Sequence, residues 1–130
     1  PGIPAGLQSS ALVNTTDLYS TIIELTGSVE PEGLIHDSVS LTPYFENPTL
    51  ESIRSFVYAD SFFEGSGVEE GAFAIRDDRY KLIRWNDHQE LYDLALDPYE
   101  NTNLLLDGES EEELKIIGNL DSRVAQLRSR

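Results

Sequence analysis

The sequence predicts an α+β fold, in which a small antiparallel sheet of three to four strands packs with a C-terminal helix. Two patterns predict it. Apolar and polar residues alternate along a hairpin-like stretch, GAFAIRDDRYKLIRW, and apolar residues recur at helical spacing near the C-terminus. Because so small a sheet needs one face covered, we expect the terminal helix to cover it. A separate helix precedes the sheet.

That first helix is predicted in DLYSTIIELTG, whose apolar residues recur at i, i+4 and i+7. Thr16 is placed as the N-cap, Asp17 suits the positive end of the helix dipole, and Gly27 lies where a C-terminal cap belongs. The expected buried face consists of Leu18, Ile22 and Leu25, widened by Tyr19 and Ile23.

The middle of the chain is predicted to contain loops and one strand. Pro and Gly punctuate residues 28–47, which predicts a loop, and TLESIR, residues 49–54, is expected to form one short helical turn. SFVYADSFF, residues 55–63, is rich in aromatic residues and predicts a strand. EGSGVEEG, residues 64–71, predicts an acidic loop.

The hairpin spans residues 71–85. Phe73 and Ile75 share one face of its first arm, and Asp77 and Asp78 suit the turn. On the second arm Tyr80 and Leu82 fall on one face, and Lys81, Ile83 and Trp85 on the other. ELYDL, residues 90–94, predicts a further strand, and DPYENTN, residues 97–103, a turn.

The last helix begins at a capping box formed by Ser110 and Glu113. Glu residues at its start and Arg residues at its end both complement the helix dipole. Its apolar stripe consists of Leu114, Ile117, Leu120, Val124 and Leu127.

Composition excludes several functions. The formal net charge of −15 in 130 residues repels nucleic-acid phosphates and anionic membrane surfaces, so neither is an expected partner. The absence of cysteine excludes disulfides, thiolate metal ligands and a cysteine nucleophile within this chain. No apolar run approaches the roughly 20 residues that span a bilayer. PGIPAG opens the chain without Met, which indicates a processing boundary with any targeting signal upstream.

Positive charge gathers in the hairpin, where four of the nine basic residues lie: Arg76, Arg79, Lys81 and Arg84. An anion-binding site is one interpretation. A structural role in cross-strand ion pairs is the other, and we favour it. The carboxylates of Asp77, Asp78 and Asp87 are close in sequence and are the expected partners.

The remaining candidates are weaker. His36 and His88 lie in predicted loops, where each either borders a substrate pocket or is an ordinary polar residue. Asp77-Asp78, EGSGVEEG and ESEEE are acidic, but none has the alternating oxygen ligands of a calcium loop. Asn14-Thr15-Thr16 is a formal glycosylation sequon. We therefore predict no catalytic and no metal-binding residue, and the substrate-binding residues stay open.

Five segments occur in one order: PGIPAG, DLYSTIIELTG, SVSLTPYF, AIRDDRYKLI and ELYDLALDPYENTNLL. In order and spacing they resemble the C-terminal part of sulfatases of the arylsulfatase family, in the alkaline phosphatase superfamily. Two positions depart from the family pattern. Ser20 stands where Pro is frequent, and Asp37-Ser38 stands where Asp-Gly is frequent.

The resemblance implies a small C-terminal sheet with a terminal helix, docked on a large α/β domain that the chain lacks. Residues 1–50 would be the end of that α/β domain, and residues 51–130 the C-terminal subdomain. It also implies a formylglycine nucleophile, made in a Cys/Ser-x-Pro-x-Arg motif, and calcium or magnesium in the parent. SLTPYF does not match that motif, so this chain alone should lack the nucleophile and the metal ligands.

The resulting expectation is a C-terminal fragment, inactive alone, of an enzyme that hydrolyses sulfate esters. Two alternatives remain open: the same module in a phosphoester or phosphonate hydrolase, and a stand-alone interaction module. The fragment hypothesis predicts the missing α/β domain as partner. It also predicts an exposed apolar patch around Ile22 and Ile23 that allows self-association. Members of the family are often exported, and the sequence itself leaves localisation, substrate and metal open.

Overall fold

A computed structural model describes residue 3, residues 5–61 and residues 72–129. The chain divides into two compact units, Pro1–Ser55 and Phe56–Arg130, here called the N-terminal unit and the C-terminal unit. The N-terminal unit contains helices α1 (Asp17–Thr26) and α2 (Thr42–Glu46). The predicted acidic loop and the end of the predicted first strand, residues 62–71, lie outside the described residues.

The described residues of the C-terminal unit form one four-stranded antiparallel sheet and one helix, which confirms the predicted fold class. The strands lie in sequence order, and helix α3 follows them. Their bounds are β1 (Val57–Ser61), β2 (Ala72–Arg76), β3 (Tyr80–Trp85), β4 (His88–Asp93) and α3 (Glu111–Arg128).

The core of the C-terminal unit lies between the sheet and α3. Ile75, Leu82 and Leu91 are register partners on three neighbouring strands, and all three are fully buried. Ile117 and Leu120 of α3 pack on this row. The predicted covering helix is thus confirmed, although Leu114, at the start of its stripe, is 50% exposed.

Local signals explain the ends of these elements. Ser110 and Glu113 form the predicted capping box, in which the Ser110 hydroxyl accepts from the Glu113 N–H and the Glu113 carboxylate accepts from the Ser110 N–H. In the β2–β3 turn, Asp77 Oδ1 accepts from the N–H groups of Arg79 and Tyr80, at 2.9 and 2.7 Å. The acidic turn is therefore built by Asp77, as predicted.

Two predictions for the N-terminal unit are wrong. Residues 28–47 are not all loop, because α2 begins at Thr42 with Pro43 in its first turn, where a missing N–H is tolerated. TLESIR forms no helix. Its backbone is held by other segments, since the Ile53 N–H donates to Tyr44 Oη at 2.7 Å and Ser52 Oγ accepts from the Leu12 N–H at 2.8 Å.

Helix α1 has the predicted bounds but not the predicted N-cap. Thr16 has helical φ and ψ, and its side chain makes no capping bond. The first N–H groups bond instead to the carbonyls of Asn14, Thr15 and Thr16, at 3.0 to 3.2 Å. Gly27 ends the helix with φ 65°, as predicted for a C-terminal cap.

The core predicts a matched pair of mutational effects on α3. Leu120→Ala should lower the free energy of unfolding by about 2–5 kcal/mol, because it opens a cavity at a side chain that is 1% exposed. Leu114→Ala, at a half-exposed position of the same helix, should cost less than about 1 kcal/mol. Urea unfolding followed by the fluorescence of Trp85 measures both, and equal losses would contradict the packing described above.

Candidate functional site

Helix α1 is amphipathic, but its apolar side is exposed and its polar side is buried. Its apolar stripe is open to solvent, with Leu18, Ile22 and Leu25 exposed to 51, 57 and 64%. The residues that are buried in this helix are polar, Asp17 and Thr21. The predicted buried face is therefore wrong for the chain as it stands, and the exposed apolar patch expected around Ile22 is present.

The polar side of α1 is inward because the loop that follows the helix bonds to it. Asp17, Ser20, Thr21 and Glu24 lie at i, i+3, i+4 and i+7, on one side of the helix. The Thr21 hydroxyl oxygen accepts from the Leu41 N–H at 2.9 Å. Hydrogen bonds from the Ser40 and Thr42 hydroxyls lower the pKa of Glu24. The loop that follows α1 therefore covers the polar side of the helix with hydrogen-bonding groups.

Asp17 is the centre of this arrangement and is 1% exposed. Its carboxylate accepts from the Asn14 N–H at 2.7 Å and the Val39 N–H at 3.0 Å. Arg54 donates to it from two nitrogens, with Nε 2.8 Å from Oδ2, and also donates to the carbonyl of Asp37. Burial works to raise the pKa of Asp17, but the bonds from Arg54 and the two N–H groups outweigh it, so the pKa lies below its ordinary value.

The two departures from the family pattern contact each other. The Ser20 N–H donates to Ser38 Oγ at 2.9 Å, and Ser20 Oγ donates to the Ser38 carbonyl at 3.3 Å. A proline at position 20 has no N–H to donate, and a glycine at position 38 has no hydroxyl to accept. The two serines therefore work as a pair that joins α1 to its loop.

Both nitrogens of His36 are engaged. Nδ1 accepts from the Ser38 N–H at 3.1 Å, and Nε2 lies 3.1 Å from a carboxylate oxygen of Glu30. The ring also packs edge-on against Tyr19, with centroids 5.1 Å apart. In this arrangement both ring nitrogens are engaged by groups of the N-terminal unit, so His36 helps to fix the loop.

An apolar cleft of about 280 Å³ also lies in the N-terminal unit. Its lining includes Ile3, Leu7, Val13, Leu41 and Phe45. Most of the large apolar side chains that are exposed in the described part of the chain belong to this unit. The N-terminal unit therefore presents apolar surface both on α1 and at this cleft.

The basic residues of the hairpin are structural, as we favoured, but their predicted partners are wrong. Arg79 pairs with Asp93 at 2.7 Å, Lys81 with Glu100 at 2.7 Å, and Arg84 with Asp121 at 2.9 Å. Arg76 donates from Nε to the Asp77 carbonyl at 3.2 Å. Asp93 is placed by strand β4, Asp121 by α3 and Glu100 by the segment between them, so the fold rather than sequence proximity selects these carboxylates.

The other candidate site residues lie apart from one another in the described part of the chain. Asp77 accepts turn N–H groups, and Asp78 is exposed. Glu113 of ESEEE caps α3. Asn14 is half-buried, and its N–H donates to Asp17. His88 lies at the end of the β3–β4 hairpin beside Trp85. Within residues 5–61 and 72–129, no three acidic or histidine side chains lie close enough to hold a metal ion.

None of the helices in the described part of the chain combines the length and the apolar character needed to cross a membrane.

Solved structures of sulfatases share this fold. A structure of a 2-O GAG sulfatase matches with a TM-score of 0.78 and 25% identity, covering all of this chain and 28% of its own. A protein solved in complex with its substrate D-glucosamine-2-N,6-O-disulfate matches with a TM-score of 0.76 and 26% identity, covering 98% of this chain and 26% of its own. Fold and sequence together therefore define a sulfatase C-terminal region.

The family comparison agrees. The family model described as N-sulphoglucosamine sulphohydrolase, C-terminal, matches residues 1–130, and the chain belongs to this family. Human arylsulfatase K is 32% identical over 112 residues, and bovine arylsulfatase K is 31% identical over 110. Each match covers 80% of this chain and 20% of the relative, so the chain spans about a fifth of the length of these relatives.

The Asp17 network predicts an acid-sensitive α1. A lowered pKa means that the unfolded state binds a proton that the folded state does not, so stability falls as the pH drops below the ordinary aspartate value of about 3.9. Asp17→Asn should flatten this dependence. It should also weaken α1 at neutral pH, because Arg54 loses its partner.

Hydrogen exchange of the α1 amides, followed from neutral to acidic pH, gives the free energy of opening. Asp78→Asn, at an exposed carboxylate of the other unit, is the matched control and should leave the α1 profile unchanged. If the Asp17→Asn variant showed the same pH dependence of α1 opening as the parent chain, Asp17 would not be the group responsible for it.

Proposed function

We propose that this chain is the C-terminal part of an enzyme that hydrolyses sulfate esters, and that it completes the fold of that enzyme without catalysing the reaction alone. Membership of the sulfatase family and the one-fifth coverage of its relatives support the proposal. The observation that carries it is the exposed apolar side of helix α1.

An exposed apolar stripe needs a cover, since leaving it in water forfeits the hydrophobic stabilisation of each side chain, about 1.5–3 kcal/mol for a fully buried Leu or Ile. The polar side of α1 is already occupied by the loop that starts after Gly27. The apolar side is therefore the natural place for the larger α/β domain. In this proposal residues 1–50 form the end of that domain, and residues 51–130 form the C-terminal subdomain docked on it.

The chemistry would lie in the partner domain. The described residues contain no group of three acidic or histidine side chains that could hold a divalent cation. The resemblance implies formylglycine and calcium or magnesium, and the proposal assigns both to the larger domain. The names of the relatives favour a sulfated saccharide as the substrate class.

The test of activity uses the full-length protein encoded by the gene and this 130-residue chain side by side. The full-length protein should release sulfate from a chromogenic aryl sulfate and from a sulfated glucosamine, whereas the chain alone should release none. The corresponding aryl phosphate is the control substrate. Faster hydrolysis of the phosphate would shift the assignment to the phosphoester alternative, and no hydrolysis of any substrate would favour an interaction module.

Docking is tested separately through the stripe of α1. Ile22→Asp in the full-length protein places a charge at the proposed interface, so the soluble folded yield and the melting temperature should both fall. Ala125→Asp, at an exposed position of α3, adds the same charge and should change neither. Equal behaviour of the two variants would show that α1 faces solvent in the whole protein.

A further inference from the structure

The end of the β3–β4 hairpin carries a pair of aromatic side chains that belongs neither to the core nor to the exposed stripe of α1. Trp85 and His88 are register partners, and their ring centroids lie 4.2 Å apart with the planes tilted by 51°. Trp85 is 36% exposed. His88 Nε2 lies 3.3 Å from a carboxylate oxygen of Glu90, which fixes the imidazole on one side of the indole.

The two residues that join the strands add polar groups beside this pair. Asn86 and Asp87 are both exposed, and Asn86 has a φ of 50°, a left-handed conformation that few residues other than Gly and Asn adopt. A two-residue turn is also short and well defined. An apolar ring therefore lies next to a tight turn whose two residues are polar and exposed.

We propose that Trp85 and His88 form a platform that binds a pyranose unit of a saccharide, with an apolar face of the sugar stacked on the indole. The hydroxyls of the sugar would then reach Asn86 and Asp87 at the border. The proposal relies on the proposed function only for the source of the saccharide, the substrate of the larger enzyme.

The residues around Trp85 favour one kind of ligand over another. An apolar protein surface laid on Trp85 would remove water from Asn86 and Asp87 and leave their polar groups unpaired, which is costly. A sugar ring matches both the apolar centre and the polar border. Charge selects further, since Glu90 contacts His88 and Asp87 precedes it in the turn, and negative charge near the pair disfavours a sulfate group. Two cations lie on this strand: Arg84, on the other face of the sheet, pairs with Asp121, and Lys81, on the same face as Trp85, pairs with Glu100. The expected contact is therefore with an unsulfated face of one pyranose unit of the saccharide.

Trp85 is the only tryptophan of the chain, so its indole N–H gives one resonance in a proton–nitrogen correlation spectrum. Titration of the chain with a neutral N-acetylglucosamine trisaccharide should shift this resonance saturably, and a heparin-derived tetrasaccharide should bind more weakly. Calorimetry should show that Trp85→Ala lowers the affinity about tenfold or more, as expected for a truncated anchor. His88→Ala should weaken binding while keeping the indole signal.

Tyr99→Ala removes another exposed aromatic side chain and should bind like the parent chain. Circular dichroism of each variant checks that the fold is kept. The absence of a saturable shift, or parental affinity in Trp85→Ala, would overturn the platform. An indole that responds in the chain but is covered in the full-length protein would show a protein occupant instead. Either negative result would leave the sulfate-ester assay of the full-length protein unaffected, so the two proposals fail separately.

Discussion

The buried carboxylate of Asp17 organises the N-terminal unit. Its carboxylate accepts from the Asn14 N–H, from the Val39 N–H and from Arg54, which also donates to the Asp37 carbonyl. These contacts join three stretches of the chain: the residues before α1, the loop after it and the segment that leads to the sheet. A charge that is 1% exposed needs all of its bonds, because an unpaired buried ion is far more costly than a paired one. The ion pair thus fixes which side of α1 is inward, and the apolar side is outward as a consequence.

The C-terminal unit is stabilised in a different way. Its buried residues are almost all apolar, and they join three strands to α3 through the row of Ile75, Leu82 and Leu91. Its ion pairs lie at the edge of this core, and surface pairs of this kind contribute only about 0–1 kcal/mol each. The N-terminal unit, in contrast, is organised around a polar network and leaves the apolar side chains of α1 exposed.

This contrast explains what could be predicted from the sequence. Alternation with period two and a capping box are local signals, so the strands, the β2–β3 turn and α3 were predictable. Apolar spacing also gave the bounds of α1, but spacing does not say which face is covered. That choice is made by Arg54, which lies 37 residues from Asp17 and shows no pattern linking the two. The predicted ion-pair partners of the hairpin were wrong for the same reason, since Asp93, Glu100 and Asp121 are brought close to the basic residues only by the fold.

The contacts of Trp85 and of Ser20 likewise depend on the fold and not on local sequence signals. Trp85 was visible in the sequence only as one residue of an outward strand face, because its pairing with His88 depends on a two-residue turn. The pair of Ser20 and Ser38 was visible only as two separate departures from the family pattern. In the structure Ser38 Oγ accepts from the Ser20 N–H, so the two positions are in direct contact. The serine contacts and the buried ion pair act together, since both hold the loop on the polar side of α1 and leave the apolar side of the helix exposed.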